Sequence, residues 1–171
     1  LVDLTTAGSA GLAQHVQIEG LPLVGSREAG RVGIRIGGDT AGTYVIGVAM
    51  RRVEISNFQD GVVLRNSFYT LLDHVWSTEN VRYGLLHAPS VDQFTSSTLV
   101  SQSHFSGNEY GWFNDGVGGA EGVTFDTCSF ESNSKTQVVL RGSRNAIFVN
   151  PHVEARRVPG LDLGGTSKTT V

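Results

Sequence analysis

Two carboxylates are the first residues in this chain whose types and spacing could do chemistry. Residues 123–133 and 146–156 align without a gap, so Phe125-Asp-Thr-Cys-Ser-Phe-Glu131 lies over Phe148-Val-Asn-Pro-His-Val-Glu154. If both segments are strands in successive turns of a stacked ribbon, Glu131 and Glu154 share one column. Neighbouring strands run about 4.8 Å apart, which sets two outward carboxylates about 5–6 Å from each other. That separation suits the acid and nucleophile of a retaining glycosidase, whereas a wider gap suits an inverting one. Repulsion between the two would keep a proton on one of them, placing an acid beside a base. Asp126 is a third candidate acid, and His152 and Arg156 fall on neighbouring columns where a substrate would lie. The same residues also read as solvated acids at a corner, bridged by Arg156 or Lys135.

Other side chains could assist. Sugar rings present apolar C–H faces that stack on aromatic rings, and Tyr69, Trp76, Tyr83 and Tyr110 all lie near corners of the repeat. Tyr83 and Tyr110 are taken as substrate-binding residues, with gap-filling between loop and coil as the alternative. A side chain as large as Trp76 is expected to be mostly covered. Asp73 and Asp126 share a column two coils apart, about 10 Å, too far to act together. The histidines His15, His74, His87, His104 and His152 show no metal-ligand spacing, and His104 and His152 are two coils apart in one column, so no metal is expected. Cys128 falls on an inward column and reads as a small buried hydrophobe. The glycine-rich stretch 116–122 lacks the Gly-Lys-Ser/Thr ending of a phosphate loop, and no cofactor is expected.

What must position these residues is a repeat. A corner residue, usually Asn, precedes by three or four positions a turn residue, usually Gly, and a short apolar strand follows. The phrases are Asn57-Phe-Gln-Asp-Gly61-Val-Val-Leu64, Asn80-Val-Arg-Tyr-Gly84-Leu-Leu-His87, Asn108-Glu-Tyr-Gly111-Trp-Phe-Asn114, Asn133-Ser-Lys-Thr-Gln137-Val-Val-Leu140 and Arg156-Arg-Val-Pro-Gly160-Leu-Asp-Leu163, with a looser copy ending in Gly33-Ile-Arg-Ile36. A period of about 23 to 28 residues with strand-like phrases is the signature of a stacked solenoid. Two columns point inward: Ile34, Val62, Leu85, Trp112, Val138 and Leu161, then Ile36, Leu64, His87, Asn114, Leu140 and Leu163. A second strand precedes each corner and stacks Phe105 on Phe130, with Val153 beside them. The corner asparagines Asn57, Asn80, Asn108 and Asn133 read as an amide ladder whose members tolerate a left-handed backbone.

The outward position between the two inward columns is unusual. It holds Val63, Leu86, Phe113 and Val139, flanked by Arg35 and Asp162. A contiguous apolar stripe of this kind marks an interface, here with sister chains about a three-fold axis, or else it lies under a long loop. Segments 37–44, 65–69, 88–97, 115–122 and 141–145 are the variable connections where a solenoid gathers insertions.

Composition narrows the rest. Apolar residues make up 39% and charged ones 17%, with 22 glycines, which favours strands and tight corners over a helical bundle. Thirteen basic against sixteen acidic residues, without a basic stripe, argue against nucleic acid as a partner. One cysteine excludes an internal disulfide, and no apolar run approaches the roughly 18 residues of a membrane helix. Residues 1–171 read as a single β-helix domain, a piece of a longer protein, with 164–171 as the start of an incomplete coil or a tail.

The phrases Gly122-Val-Thr-Phe-Asp-Thr-Cys-Ser-Phe-Glu-Ser-Asn133 and Ile147-Phe-Val-Asn-Pro-His-Val-Glu154 resemble coils of the right-handed parallel β-helix, or pectin-lyase-like, proteins, over roughly residues 12 to 165. That group includes pectate-lyase-like enzymes and bacteriophage tailspikes. The resemblance implies an all-β, single-stranded right-handed parallel β-helix of about six coils, a hand that also follows from the rule for parallel crossovers. It further implies an extracellular or virion-surface protein that binds a polysaccharide, often as a homotrimer, and acts as a lyase or hydrolase. The Asp-Asp pair and Asn-Thr-Asp phrase of the plant-pectin enzymes are absent. Three readings stand: a tailspike or fibre that recognises and cleaves a bacterial surface polysaccharide, a non-catalytic structural shaft, and a secreted monomeric polysaccharide lyase or hydrolase.

Overall fold

A computed structural model of the protein describes residues 2–4, 12–38, 44–88, 95–115, 120–164 and 167–170. All regular structure among them is strand, in two parallel sheets. The first sheet stacks seven strands in chain order: Val2–Leu4, Val32–Ile36, Asp60–Leu64, Tyr83–His87, Tyr110–Asp115, Thr136–Arg141 and Leu161–Asp162. Six of these are the repeat phrases, so from the second strand to the seventh the ribbon makes about five turns of a β-solenoid. The second sheet holds thirteen strands. Its longest member, Ser67–Thr78, carries both the strand that enters a coil and the one that reaches the corner.

Like residues do touch like. Ile34, Val62, Leu85, Trp112, Val138 and Leu161 are successive neighbours in one row, and Val62, Leu85, Trp112 and Val138 are each at most 1% exposed. Leu64, His87, Asn114 and Leu140 form the second inward row. Opposite them the rings of Phe105 and Phe130 stack at 5.3 Å, and those of Phe125 and Phe148 at 5.1 Å. Leu163 departs from its column: it follows the last short strand of the first sheet and is exposed. Ser167–Thr170 pairs with Arg144–Val149, so this segment continues the second sheet.

The corner works differently from the sequence expectation in one respect. Asn80, Asn108 and Asn133 form the ladder, but their own backbone is not left-handed. The left-handed residue is the one before, Glu79, Gly107 or Ser132, and Asn57 belongs to that column with φ of 60°. Phe58 therefore takes the first rung, its backbone N–H donating to Asn80 Oδ1 at 3.0 Å. At the other end Asn133 Nδ2 donates to Gln137 Oε1 of its own coil, because the next coil offers no asparagine.

The glycines Gly61, Gly84 and Gly111 are explained by this ladder, not by a turn. Gly84 lies inside a strand, and a Cβ there would sit 2.7 Å from the Gly111 carbonyl oxygen and 2.8 Å from Asn108 Nδ2. Replacing Gly84 by alanine is expected to destabilise the fold by about 1–3 kcal/mol through overpacking. Gly164→Ala, where the new atom meets only Asp162 Oδ1 at 3.4 Å, should be near neutral. Denaturant midpoints of the two variants check this.

The outward apolar stripe is not an open seam. Val63, Leu86 and Val139 are buried within a single chain and Phe113 is half-buried. Val63 and Leu86 cluster with Val32 and Ala88, and Tyr83 and Phe113 pack over them. The stripe, expected either to face sister chains or to lie under a long loop, packs against side chains of its own chain. Of the connections expected to gather insertions, 39–43, 89–94 and 116–119 lie outside the described residues.

Candidate functional site

The acid pair is built by two three-residue strands. Ser129–Glu131 and His152–Glu154 pair in parallel, with Ser129 beside His152, Phe130 beside Val153 and Glu131 beside Glu154. Phe130 points into the core at 0% exposure, so alternation sends its neighbours Ser129 and Glu131 outward. The previous coil adds His104 beside Ser129 and Ser106 beside Glu131, and the one before that adds Trp76 beside His104 and Thr78 beside Ser106. Two outward rows result: Glu54, Trp76, His104, Ser129 and His152 in one, and Ser56, Thr78, Ser106, Glu131 and Glu154 in the other.

Ser129 is the small residue between two imidazoles, and it leaves the Glu131 carboxylate room to reach both. His104 Nε2 lies 3.4 Å from Glu131 Oε1, and His152 Nε2 lies 3.6 Å from Glu131 Oε2. His152 Nε2 is also 4.0 Å from Glu154 Oε2. Glu154 Oε1 accepts a hydrogen bond from Arg156 Nε. One oxygen of each glutamate and the ring nitrogen of His152 all lie within 4.8 Å of one another. The column shared by Glu131 and Glu154 is therefore as the alignment predicts, and Arg156 does bridge to one of them. Lys135 does not; it pairs with Glu109 at 2.9 Å.

The remaining candidates divide. Asp126 lies one bend earlier in the strand Ala120–Asp126, where its carboxylate accepts from the Thr127 hydroxyl at 3.0 Å; no hydrogen bond or ion pair joins it to Glu131 or Glu154. Tyr83 and Tyr110 belong to the first sheet, whereas the acids belong to the second. Their rings stack on each other at 5.6 Å and meet Phe113, tilted for Tyr83 and edge-on for Tyr110, with Arg82 over Tyr83 and Lys135 over Tyr110; Tyr83 and Phe113 pack on the chain's own apolar cluster.

Trp76 corrects the opposite way. It is 54% exposed, because Val75 and Ser77 on either side take the inward positions. Its indole lies 5.9 Å from the His104 ring, in the row that leads to His152. That exposure was legible in the strand parity, which outweighs the general tendency of tryptophan to be covered. Glu154, with Gln137, Arg156 and Arg157, helps line a depression of about 410 Å³. Cys128 is buried as expected, and burial pushes its thiol up to about 11, which makes it a poor nucleophile.

No family model matches this chain, and no curated protein does. Among solved structures it is similar to trypsin-treated QnrB1, a plasmid-mediated fluoroquinolone resistance protein, at 14% identity over 93% of this chain and 91% of that one. The TM-score of 0.20 gives that likeness no weight for fold or function.

Proposed function

We propose that this chain recognises a bacterial surface polysaccharide along the outward face from Trp76 to Glu154, and that Glu131 and Glu154 cleave it. The observation that carries this reading is the placement of two carboxylates one rung apart, in the row beside the one that holds an open indole. From Trp76 to His152 the face spans three rungs, about 14 Å at the spacing of neighbouring strands, long enough for a short run of sugar rings. The indole offers an apolar ring face, and Thr78, Ser106 and Ser129 offer hydroxyl groups beside it. The tailspike-type β-helices that the coils resemble work on such polymers.

The chemistry follows from the spacing. Carboxyl groups about 5–5.5 Å apart suit a retaining double displacement. Glu131, set between two imidazoles, is the acid that protonates the leaving oxygen. Glu154, oriented by Arg156, attacks the anomeric carbon, and water then releases the sugar with Glu131 as base. Arg157, at the rim of the depression, faces a charged substituent on the neighbouring sugar.

Incubating the chain with capsular polysaccharides and lipopolysaccharide O-chains, and following new reducing ends, tests this. Glu131→Gln and Glu154→Gln are each expected to lower the rate by about 10²–10⁴-fold. Trp76→Ala should weaken retention on the polymer while leaving turnover at saturation nearly intact. Full activity in both glutamine variants sinks the catalytic assignment. Neither cleavage nor Trp76-dependent retention on any polymer would leave the structural shaft as the function.

A further inference from the structure

We infer that Glu131, His152 and Glu154 form a binding site for a zinc-type divalent cation, with His104 holding the site from the adjoining coil. His152 Nε2, Glu131 Oε2 and Glu154 Oε2 converge from two neighbouring rungs, with the imidazole 3.6 and 4.0 Å from the two carboxylate oxygens. One ligand atom from each of the three residues lies within 4.8 Å of the other two. Zinc holds nitrogen and oxygen ligands at about 2.0–2.2 Å, which in a tetrahedron sets them about 3.3 Å apart. Closing from the present spacing takes shifts on the order of 1 Å at side-chain tips. The backbone need not move, because the parallel register already fixes both strands.

Each group has the atoms left over that a ligand needs. Arg156 engages Oε1 of Glu154, and Oε2 faces His152. His104 lies against Oε1 of Glu131, and Oε2 faces His152. His104 therefore stands where an outer partner fixes a ligating carboxylate, a role that commonly tunes affinity. One imidazole and two carboxylates suit zinc better than calcium or magnesium, which prefer all-oxygen shells. Three protein ligands on an outward face leave a fourth position open to solvent or to a sugar oxygen.

The sequence expectation of no metal rested on the lack of a recognisable ligand spacing and on the two-coil distance between His104 and His152. Fold geometry answers it differently: the two imidazoles need not share an ion, because Glu131 spans the gap between them. The inference does not depend on the polysaccharide reading. Where both hold, zinc occupancy and cleavage exclude each other, since the ion takes both carboxylates of the acid–nucleophile pair.

Titrating the full chain with zinc chloride at neutral pH, followed by calorimetry, tests the site without any glycan. One zinc per chain is expected. His152→Ala and Glu131→Gln should each weaken binding at least tenfold, and His104→Ala by about 10–100-fold as an outer partner does. His74→Ala is the control, because His74 also sits beside a carboxylate, 2.9 Å from Asp73 Oδ1, and is not one of the converging ligands. It should bind zinc like the parent. Circular dichroism confirms that each variant keeps its strands, and an absorption spectrum with cobalt chloride reports the coordination directly. Equal zinc binding by the parent and His152→Ala, loss of binding in His74→Ala, or no saturable binding at all would overturn the site.

Discussion

Asn108→Ala is expected to lower the stability of the chain by about 2–4 kcal/mol, from the cost of leaving buried polar groups without partners. Asn108 is 2% exposed and sits in the middle of the ladder. Its Oδ1 accepts from the Asn80 backbone N–H at 2.9 Å and from Asn80 Nδ2 at 3.1 Å. Its Nδ2 donates to the Ser77 carbonyl at 3.1 Å and to Asn133 Oδ1 at 3.2 Å. Truncation leaves the Asn80 N–H with no acceptor inside a dry corner and strips one bond each from Ser77 and Asn133. Both neighbouring coils lose contact, and solenoid stability resides largely in such nearest-neighbour interfaces. Against a typical total of about 5–15 kcal/mol, the loss is large. Asn108→Asp should be worse, because a carboxylate would face two acceptor oxygens and carry a buried charge. Asn57→Gly is the contrast: its side chain reaches only Ser56 Oγ at 3.5 Å, and its backbone is left-handed, which glycine adopts readily. If guanidinium midpoints for Asn108→Ala and Asn57→Gly barely differ, the ladder is not what holds the corner.

Rows were readable from the sequence because a solenoid turns periodicity into contact. The inward row from Ile34 to Leu161, the Phe105–Phe130 stack and the pairing of Glu131 with Glu154 all follow from gap-free alignment. What alignment could not deliver is side-chain reach. Glu131 touches imidazoles in both adjoining coils because Ser129 is short, and that depends on three residues at once. Corner geometry was off by one position for a related reason: Asn57 and Asn80 stand equally far from their glycines, yet only Asn80 occupies the ladder. Chain length between corner and glycine differs among coils, as at Asn108 and Gly111, so a phrase aligned on glycine misplaces the corner. The apolar stripe reads as an interface with sister chains or as a surface under a long loop, because strand alternation counts only faces. It cannot foresee Tyr83 and Phe113 folding over Val63 and Leu86.

The second inward row contains a histidine, and acid should expose it. His87 is 0% exposed, lies between Leu64 and Asn114, and meets the edge of Trp112 at 5.1 Å between ring centroids. Neither ring nitrogen has a hydrogen-bond partner among the described residues. Burial alone drives its pKa down to about 3 from an ordinary 6.5. The folded state therefore holds a neutral ring while the unfolded chain takes up a proton below 6.5. Unfolded chains bind more protons between those values, so stability rises with pH there. The contribution is intact above pH 6.5 and is lost progressively as pH falls towards 3. Linkage gives about 2 kcal/mol lost by pH 5 and about 5 kcal/mol once the folded-state ring also protonates. His87→Leu should remove that dependence, because leucine matches Leu64 and Leu140 of the same row and carries no titrating group. It should also be about 1–2 kcal/mol more stable at pH 7, since no polar nitrogen is left buried and unpaired. Denaturant unfolding of both chains at pH 5 and pH 7.5 decides it. A parent whose stability is flat across that interval, or a leucine variant that falls as steeply as the parent, would show that His87 does not set the acid limit.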